Sequence, residues 1–230
     1  MKITVISDTH SDHHILTKDL LEGDLLIFAG DLMNSGYNKD DIYRFCNWFN
    51  SLDEYDTKVF IAGNHDRFIE NNPEESLQII NSFKWIDYLQ DDWIACGNNL
   101  DNVVKIWGSP WQPEFMNWAF NLPRNSKELE RKWNLIPEDI DILITHGPPY
   151  GYCDVVRGKY EHLGCELLRH RVDELKPKIH IFGHIHSGYG YYFNGHTHFI
   201  NASVLDERYQ YTQKPITFDW NPETNDVKFK

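Results

Sequence analysis

Lys58-Val59-Phe60-Ile61-Ala62 is an apolar, β-rich run that leads without a break into Gly63-Asn64-His65-Asp66. The first five residues read as a strand covered on both faces. Glycine at 63 lets the chain turn sharply, and the three side chains after it are a ligand oxygen, a titratable ring and an acid. Four other apolar runs end in the same manner. Residues 2–7 run into Asp8-Thr9-His10, residues 24–29 into Gly30-Asp31, residues 141–145 into His146-Gly147-Pro148-Pro149, and residues 178–182 into Gly183-His184-Ile185-His186.

The segments between these strands carry helical patterns. Ile42, Phe45, Cys46, Phe49 and Leu52 recur at helical spacing over residues 38–52. Pro73-Glu74-Glu75 suits the first turn of a helix reaching to about residue 83. Asn125, with Glu128 three residues on, reads as an Asn-capped helix start. Residues 164–176 place Leu167, Leu168, Val172 and Leu175 on one face before Pro177 ends the run. Strand, loop, helix, strand is the pattern of a mostly parallel sheet.

Residues 93–96 and 103–107 read as paired strands joined through a turn at Gly97-Asn98-Asn99. Asn194-Gly195 marks a hairpin between residues 189–193 and 196–200, and residues 215–219 read as a last, edge strand. Residues 108–124 form a long irregular segment rich in Trp, Pro and Phe, a length at which an ordered loop is usually functional. Trp111 and Phe115 there are candidates for a substrate-side wall that stacks a base, set against the plainer alternative of core cover. No repeat, low-complexity tract or linker interrupts the 230 residues, so a single domain spanning 1–230 is expected.

Composition bounds the function. The chain is 41% hydrophobic and 14% aromatic, which suits a packed core. No charged segment followed by an apolar one opens the chain, and no run is long enough to span a bilayer, so neither a signal peptide nor a membrane association is expected. Cys46, Cys96, Cys153 and Cys165 are far apart and form no Cys-x-x-Cys pair, which favours free thiols in a reducing compartment and a cytoplasmic location. A net charge of -13 disfavours tight nonspecific binding of nucleic acid but leaves room for a small phosphate ester, because bound metal ions would reverse the sign inside a cleft.

Ligands of open α/β sheets sit outside the carboxyl ends of the strands. The five strand ends carry Asp8 and His10, Asp31, Asn64 and His65, His146, and His184 and His186. In Asp8-x-His10 and His184-x-His186, side chains two apart in an extended segment point the same way. A mixed oxygen and nitrogen set suits Mn, Fe or Zn better than Mg or Ca. With one histidine left free of metal, the seven remaining ligands are too many for one tetrahedral ion and about right for two. Two ions about 3.5–4 Å apart clamp a phosphate and bring the pKa of a bound water to about 7, giving a hydroxide that attacks phosphorus in line. The leaving oxygen then needs a proton or a cationic neighbour, and a histidine that is not a ligand is the natural supplier. Asp66 is expected to hydrogen-bond the His65 ring and fix its tautomer. Each motif alone has a commoner reading as a cap, turn or solvated strand edge; all five in this order, each after an apolar strand, point to a metal site. The remaining histidines, His13, His14, His162, His170, His180, His196 and His198, read as surface or core residues.

At these residues the chain resembles the calcineurin-like metallophosphoesterase superfamily, whose pattern of Asp-x-His, Gly-Asp, Gly-Asn-His-Asp/Glu, a His and Gly-His-x-His is met in full. Gly108-Ser109-Pro110-Trp111-Gln112-Pro113, Phe120-Asn121-Leu122-Pro123-Arg124, residues 132–149 and Asn201-Ala202-Ser203 are similar to the metallophosphoesterase-domain-containing (MPPED-type) family. The resemblance implies a four-layer α/β/β/α sandwich. It assigns one ion to Asp8, His10, Asp31 and His186, and a second to Asp31, Asn64, His146 and His184, with Asp31 bridging. His65 would be the catalytic histidine, and Asn64 would also touch the phosphate. Certain animal members carry glycine at the position matching His184; this chain keeps the histidine, so an intact dinuclear site is expected. The resemblance implies hydrolysis of small phosphodiesters, including 2′,3′-cyclic nucleotides, often with Mn²⁺. A phosphomonoesterase or nuclease on the same site is the alternative. A catalytically weak interaction scaffold is a further one, which the complete ligand set disfavours.

Overall fold

Strand residues alternate faces, and here the alternation sorts side chains between two kinds of core. In the computed structural model, which describes residues 1–97 and 103–230, Ile3, Val5, Leu25, Ile27, Val59 and Ile61 point from one sheet towards Ile106, Ile142, Ile144, Ile179, Ile181 and Ile200 of another. That inner layer is aliphatic. The outward residues of the same strands are more aromatic: Phe28 and Phe60 meet Phe45 and Phe49 on one side, while Leu143, Phe182 and Phe199 meet Leu129, Trp133, Leu168 and Val172 on the other. Helices cover both outer faces, and the result is a four-layer α/β/β/α sandwich.

Among the described residues each of the two stacked sheets has six strands, and a separate two-stranded pair joins Gln112–Pro113 to Asn121–Leu122. The first runs Val227–Phe229, Ile216–Trp220, Lys2–Ile6, Gly23–Ala29, Tyr55–Ile61, Asp87–Tyr88, and the last four of these are parallel. The second runs Gly190–Phe193, His198–Asn201, Ile179–Phe182, Ile142–Thr145, Val104–Ser109, Asp92–Cys96, parallel in its four central strands. The carboxyl ends of both parallel sets therefore gather at one end of the sandwich. There the sheets are joined directly: Ser7 bridges Ser203, and the Val204 amide donates to the Ser7 carbonyl at 3.1 Å.

Several local expectations shift. The helix Lys127–Trp133 is capped by Ser126, which accepts from the Leu129 amide, and not by Asn125, which sits at φ 58° in the turn before it. The hairpin at Asn194-Gly195 closes through four residues, since Phe193 pairs with His198 and Asn194 accepts from the His196 and Thr197 amides. Ile216–Trp220 is interior, between Lys2–Ile6 and Val227–Phe229, and the edge belongs to Val227–Phe229. The expected turn at Gly97-Asn98-Asn99 lies outside the described residues past Gly97. Among the described residues no helix is long and apolar enough to cross a membrane, and all four cysteines are free thiols.

His13 is a buried histidine of structural interest. Its ring packs against Phe45 and Trp48, and neither ring nitrogen has a hydrogen-bond partner. Burial, and after it His14 and Arg44, push its pKa from 6.5 down to about 3. Between those values the unfolded chain binds the extra proton and the folded chain does not. Stability therefore rises with pH in that window and falls on acidification below about 6.5, by up to about 1.4 kcal/mol per pH unit for this group. A His13→Leu variant is expected to lose less stability than the parent between pH 7 and pH 5, read from urea midpoints. Equal losses would show that His13 is not protonated on unfolding.

Candidate metal centre

Four of the expected ligands adopt left-handed backbone angles: Asp8 at φ 55°, His10 at 44°, Asp31 at 62° and His184 at 66°. Non-glycine residues rarely adopt this region, and it costs on the order of 1–2 kcal/mol each. The chain tolerates it where each strand end bends inward over the sheet ends. Gly63 serves the same bend by a route the sequence did not suggest. It is not among the residues of positive φ, and a Cβ there would lie 2.3 Å from Asp31 Oδ1. Gly183 likewise leaves room for Asp8, whose Oδ2 a Cβ would meet at 2.1 Å. In both places glycine is required for close approach to a carboxylate.

All seven expected ligand side chains converge. His10 Nε2 lies 3.4 Å from His186 Nε2, and His186 Nε2 lies 3.5 Å from Asp8 Oδ1. Asp31 faces both ways, with Oδ2 3.7 Å from His10 Nε2 and Oδ1 3.4 Å from His146 Nε2. Asn64 Oδ1 sits 2.9 Å from His146 Nε2 and 2.8 Å from His184 Nδ1. Three sets of donor atoms lie close enough to share an ion: Asp8, His10 and His186; Asp8, Asp31 and His146; and His10, Asp31 and His65.

The rings are held from behind. Nδ1 of His10, His146 and His186 meets the carbonyls of Met33, Ala29 and Asp206 at 3.3, 3.0 and 2.9 Å. A ring that donates from Nδ1 turns its Nε2 lone pair inward, the tautomer a metal ligand needs. Asp8 is held by the Ser203 hydroxyl at 2.7 Å and by the His184 amide.

The electrostatics ask for added positive charge. Burial works against ionisation of Asp8 and Asp31, yet His186 holds the first, and His146 the second, well below the usual carboxylate range. Burial is likewise outweighed at His146 and His186, which Asp31 and Asp8 respectively raise to about 9. Burial wins at His10, down to about 4, and at His184, down to about 3. Protons on two rings thus do what divalent cations would do better, since a cation satisfies inward lone pairs on all of the rings at once. The donor set fits two such ions.

Asp66 does not act as expected. Its carboxylate accepts from four main-chain amides, those of Gly63 at 2.7 Å, Asp31 at 3.1 Å, Leu32 at 3.3 Å and Met33 at 2.8 Å. The partner of His65 Nδ1 is the Asn34 carbonyl. Asp66 thus ties the 30–33 turn to the 63–66 turn, and the His65 ring is oriented by main chain. Burial, then the nearby Asp31 charge, push Asp66 up to about 8 against the pull of those amides.

In the 108–124 segment Trp111 takes the plainer of its two expected roles, core cover. Its indole donates to Asp91, its face carries the Lys132 ammonium at 4.3 Å, and it packs into the core. Trp118 does reach the centre, as does Phe115, whose ring meets His184 edge to face. Trp118 stacks on His65 with centroids 4.0 Å apart and planes 21° from parallel, and the Arg67 guanidinium lies over the indole. The Ala119 amide anchors the loop on the Asn64 carbonyl at 2.9 Å. Nothing in the spacing of Trp118 marks it out, since the loop has no periodicity. Trp118→Ala is expected to lower kcat about ten- to a hundredfold through a loosened His65, with KM and metal content little changed. Trp118→Phe should recover most of the rate, and an unchanged kcat in the alanine variant would show that the stack does not position the ring.

The comparisons with known proteins agree with this geometry. Residues 1–188 match the family model described as calcineurin-like phosphoesterase. The chain is 38% identical over 239 residues to human metallophosphoesterase domain-containing protein 1, covering 95% of this chain and 70% of that protein. Among solved structures, TT1561 of Thermus thermophilus superposes with a TM-score of 0.68 at 14% identity, over 100% of this chain and 97% of that one. Phosphopantetheinyl hydrolase from Mycobacterium tuberculosis gives 0.59 at 12% identity, over 90% of each chain. At these identities the structures speak for the fold, while the family match and the human relative extend along most of the sequence. On that footing the chain belongs to the calcineurin-like phosphoesterase family.

Proposed function

We infer that the chain is a dinuclear metal-dependent phosphodiesterase of small nucleotide-like diesters, 2′,3′-cyclic nucleotides among them. The observation that carries this reading is the two-sided placement of Asp31, one carboxylate oxygen towards His146 and the other towards His10. In this reading Asp8, His10, Asp31 and His186 hold one ion, and Asp31, Asn64, His146 and His184 hold the other, with Mn²⁺ preferred to Fe or Zn. When bound, the ions supply charge neutralisation of the phosphoryl oxygens and an acidified attacking water. His65 keeps Nδ1 on the Asn34 carbonyl, so Nε2 is the atom that delivers a proton or positive charge to the leaving oxygen. Asn64 offers its side chain to the phosphate, and Asp66 acts through the main chain that places Asp31 and His65. A net charge of -13 favours small esters over long polyanions, and the free thiols accord with a cytoplasmic, single-domain enzyme.

The test is hydrolysis of bis-p-nitrophenyl phosphate by protein stripped with chelator and reloaded. Mn²⁺ should restore activity, with p-nitrophenyl phosphate the poorer substrate. Preference for the monoester would make the enzyme a phosphomonoesterase on the same site, and no turnover of either with a full metal complement would defeat the catalytic reading.

A further inference from the structure

A cavity of about 400 Å³ opens directly beside His184 and His186. Its size falls in the range of small-molecule sites. Most of its lining is apolar, and includes Pro113, Phe115, Val156, Leu163 and Tyr209. Two of these residues touch the metal centre itself. The Phe115 ring meets His184 edge to face with centroids 5.6 Å apart. The Tyr209 ring lies 4.8 Å from His10 and 5.4 Å from His186. Tyr209 is held there at φ 57° by a tight turn in which Asp206 accepts from the Arg208 and Gln210 amides. Phe115 and Tyr209 are both about half exposed, so apolar surface stands open next to the most polar part of the molecule, an arrangement expected of a ligand site.

The polar groups of the cavity narrow what it takes. Arg124 is already committed, donating to the Leu163 and Gly164 carbonyls and to Glu166. Glu114 and Glu207 are the acids bordering the cavity, and among the described residues Glu207 is answered only by the highly exposed Arg157 at 3.5 Å. A ligand group carrying its own negative charge would meet these acids in an apolar surround.

We propose that this cavity is the subsite for the organic substituent of the phosphate ester, and that it selects an uncharged ring-shaped group over a small alkyl group or a second anionic group. The proposal rests on the reading of the adjacent cluster as the phosphate-binding metal centre. Phe115, Leu163 and Tyr209 are its specificity-determining residues, and they act on the substituent while the metal ligands act on phosphorus.

Equilibrium binding to the Mn²⁺-loaded protein tests this without turnover. By calorimetry, phenylphosphonate should bind about tenfold or more tightly than methylphosphonate, from burial of the ring. A 4-carboxyphenylphosphonate should fall back towards methylphosphonate, and a 4-hydroxyphenylphosphonate should match the phenyl compound. A Phe115→Ala, Leu163→Ala double variant should erase the preference for the ring, read as the ratio of phenylphosphonate to methylphosphonate affinity, in which any loosening of His184 beside Phe115 cancels. A Glu114→Gln, Glu207→Gln variant should recover the carboxylate. Equal affinity for the methyl, phenyl and carboxyphenyl compounds, or a preference that survives the double variant, would overturn the subsite. Because bis-p-nitrophenyl phosphate hydrolysis is measured separately, ring preference without turnover would defeat the catalytic reading alone, and turnover without ring preference would defeat the subsite alone.

Discussion

His65→Ala is expected to lower kcat about a hundred- to ten-thousandfold, the range for loss of a general acid, while leaving metal content intact. The argument is one of geometry. The ring is buried, stacked under Trp118 and set edge-on to His10 with centroids 4.4 Å apart. Its Nδ1 is occupied by the Asn34 carbonyl, so only Nε2 faces the cluster. His65 is close enough to His10 and Asp31 to be a third ligand, and metal analysis of the variant separates the two roles. Loss of a general acid leaves the ion count unchanged. A ligand takes an ion with it. Activity within about tenfold of the parent would remove His65 from the chemistry.

Asp66→Ala carries the largest expected effect on stability. One carboxylate serves four buried main-chain amides. Deleting it strands all four at about 1–3 kcal/mol each before relaxation. A net loss of more than about 3 kcal/mol is expected, read as a lower urea midpoint at unchanged slope. Asp66→Asn can keep its one acceptor oxygen on the Gly63, Asp31 and Leu32 amides and strand only that of Met33, so it should lose well under half as much. Since Asp66 spans the turns that carry Asp31 and Asn64, metal affinity should fall together with stability in both variants. A fully stable Asp66→Ala protein with lost activity would return Asp66 to the direct role on His65 that the sequence suggested.

The parallel strands were legible because they are unbroken apolar runs that end in glycine or polar residues, and buried parallel strands leave few other ways to read residues 24–29 or 141–145; the stacking of two sheets into a four-layer sandwich was implied by the resemblance alone. The ligands were legible for the same reason, since each follows such a run. What escaped was contact made by main chain or across the fold. The Asn34 carbonyl on His65 and the Asp206 carbonyl on His186 involve atoms every residue has, so no residue type marks them. Asp66 was placed near His65 because they are neighbours in sequence, but its four partners include a turn more than thirty residues away. Ser126 displaced Asn125 as a cap because both are capping residues and only the backbone decides between them. Trp111 and Trp118 differ in environment, not in type: the first has Asp91 and Lys132 to hold it in the core, and the second has Arg67 and His65.

The central claim is that Asp31 is shared by two ions. The most direct measurement is the Mn²⁺ stoichiometry of chelator-stripped protein, by calorimetry with metal analysis of the dialysed product, for the parent and for Asp31→Ala. The account predicts two ions per chain for the parent and fewer than one for the variant. One ion per chain in the parent, or an unchanged count in Asp31→Ala, would contradict it.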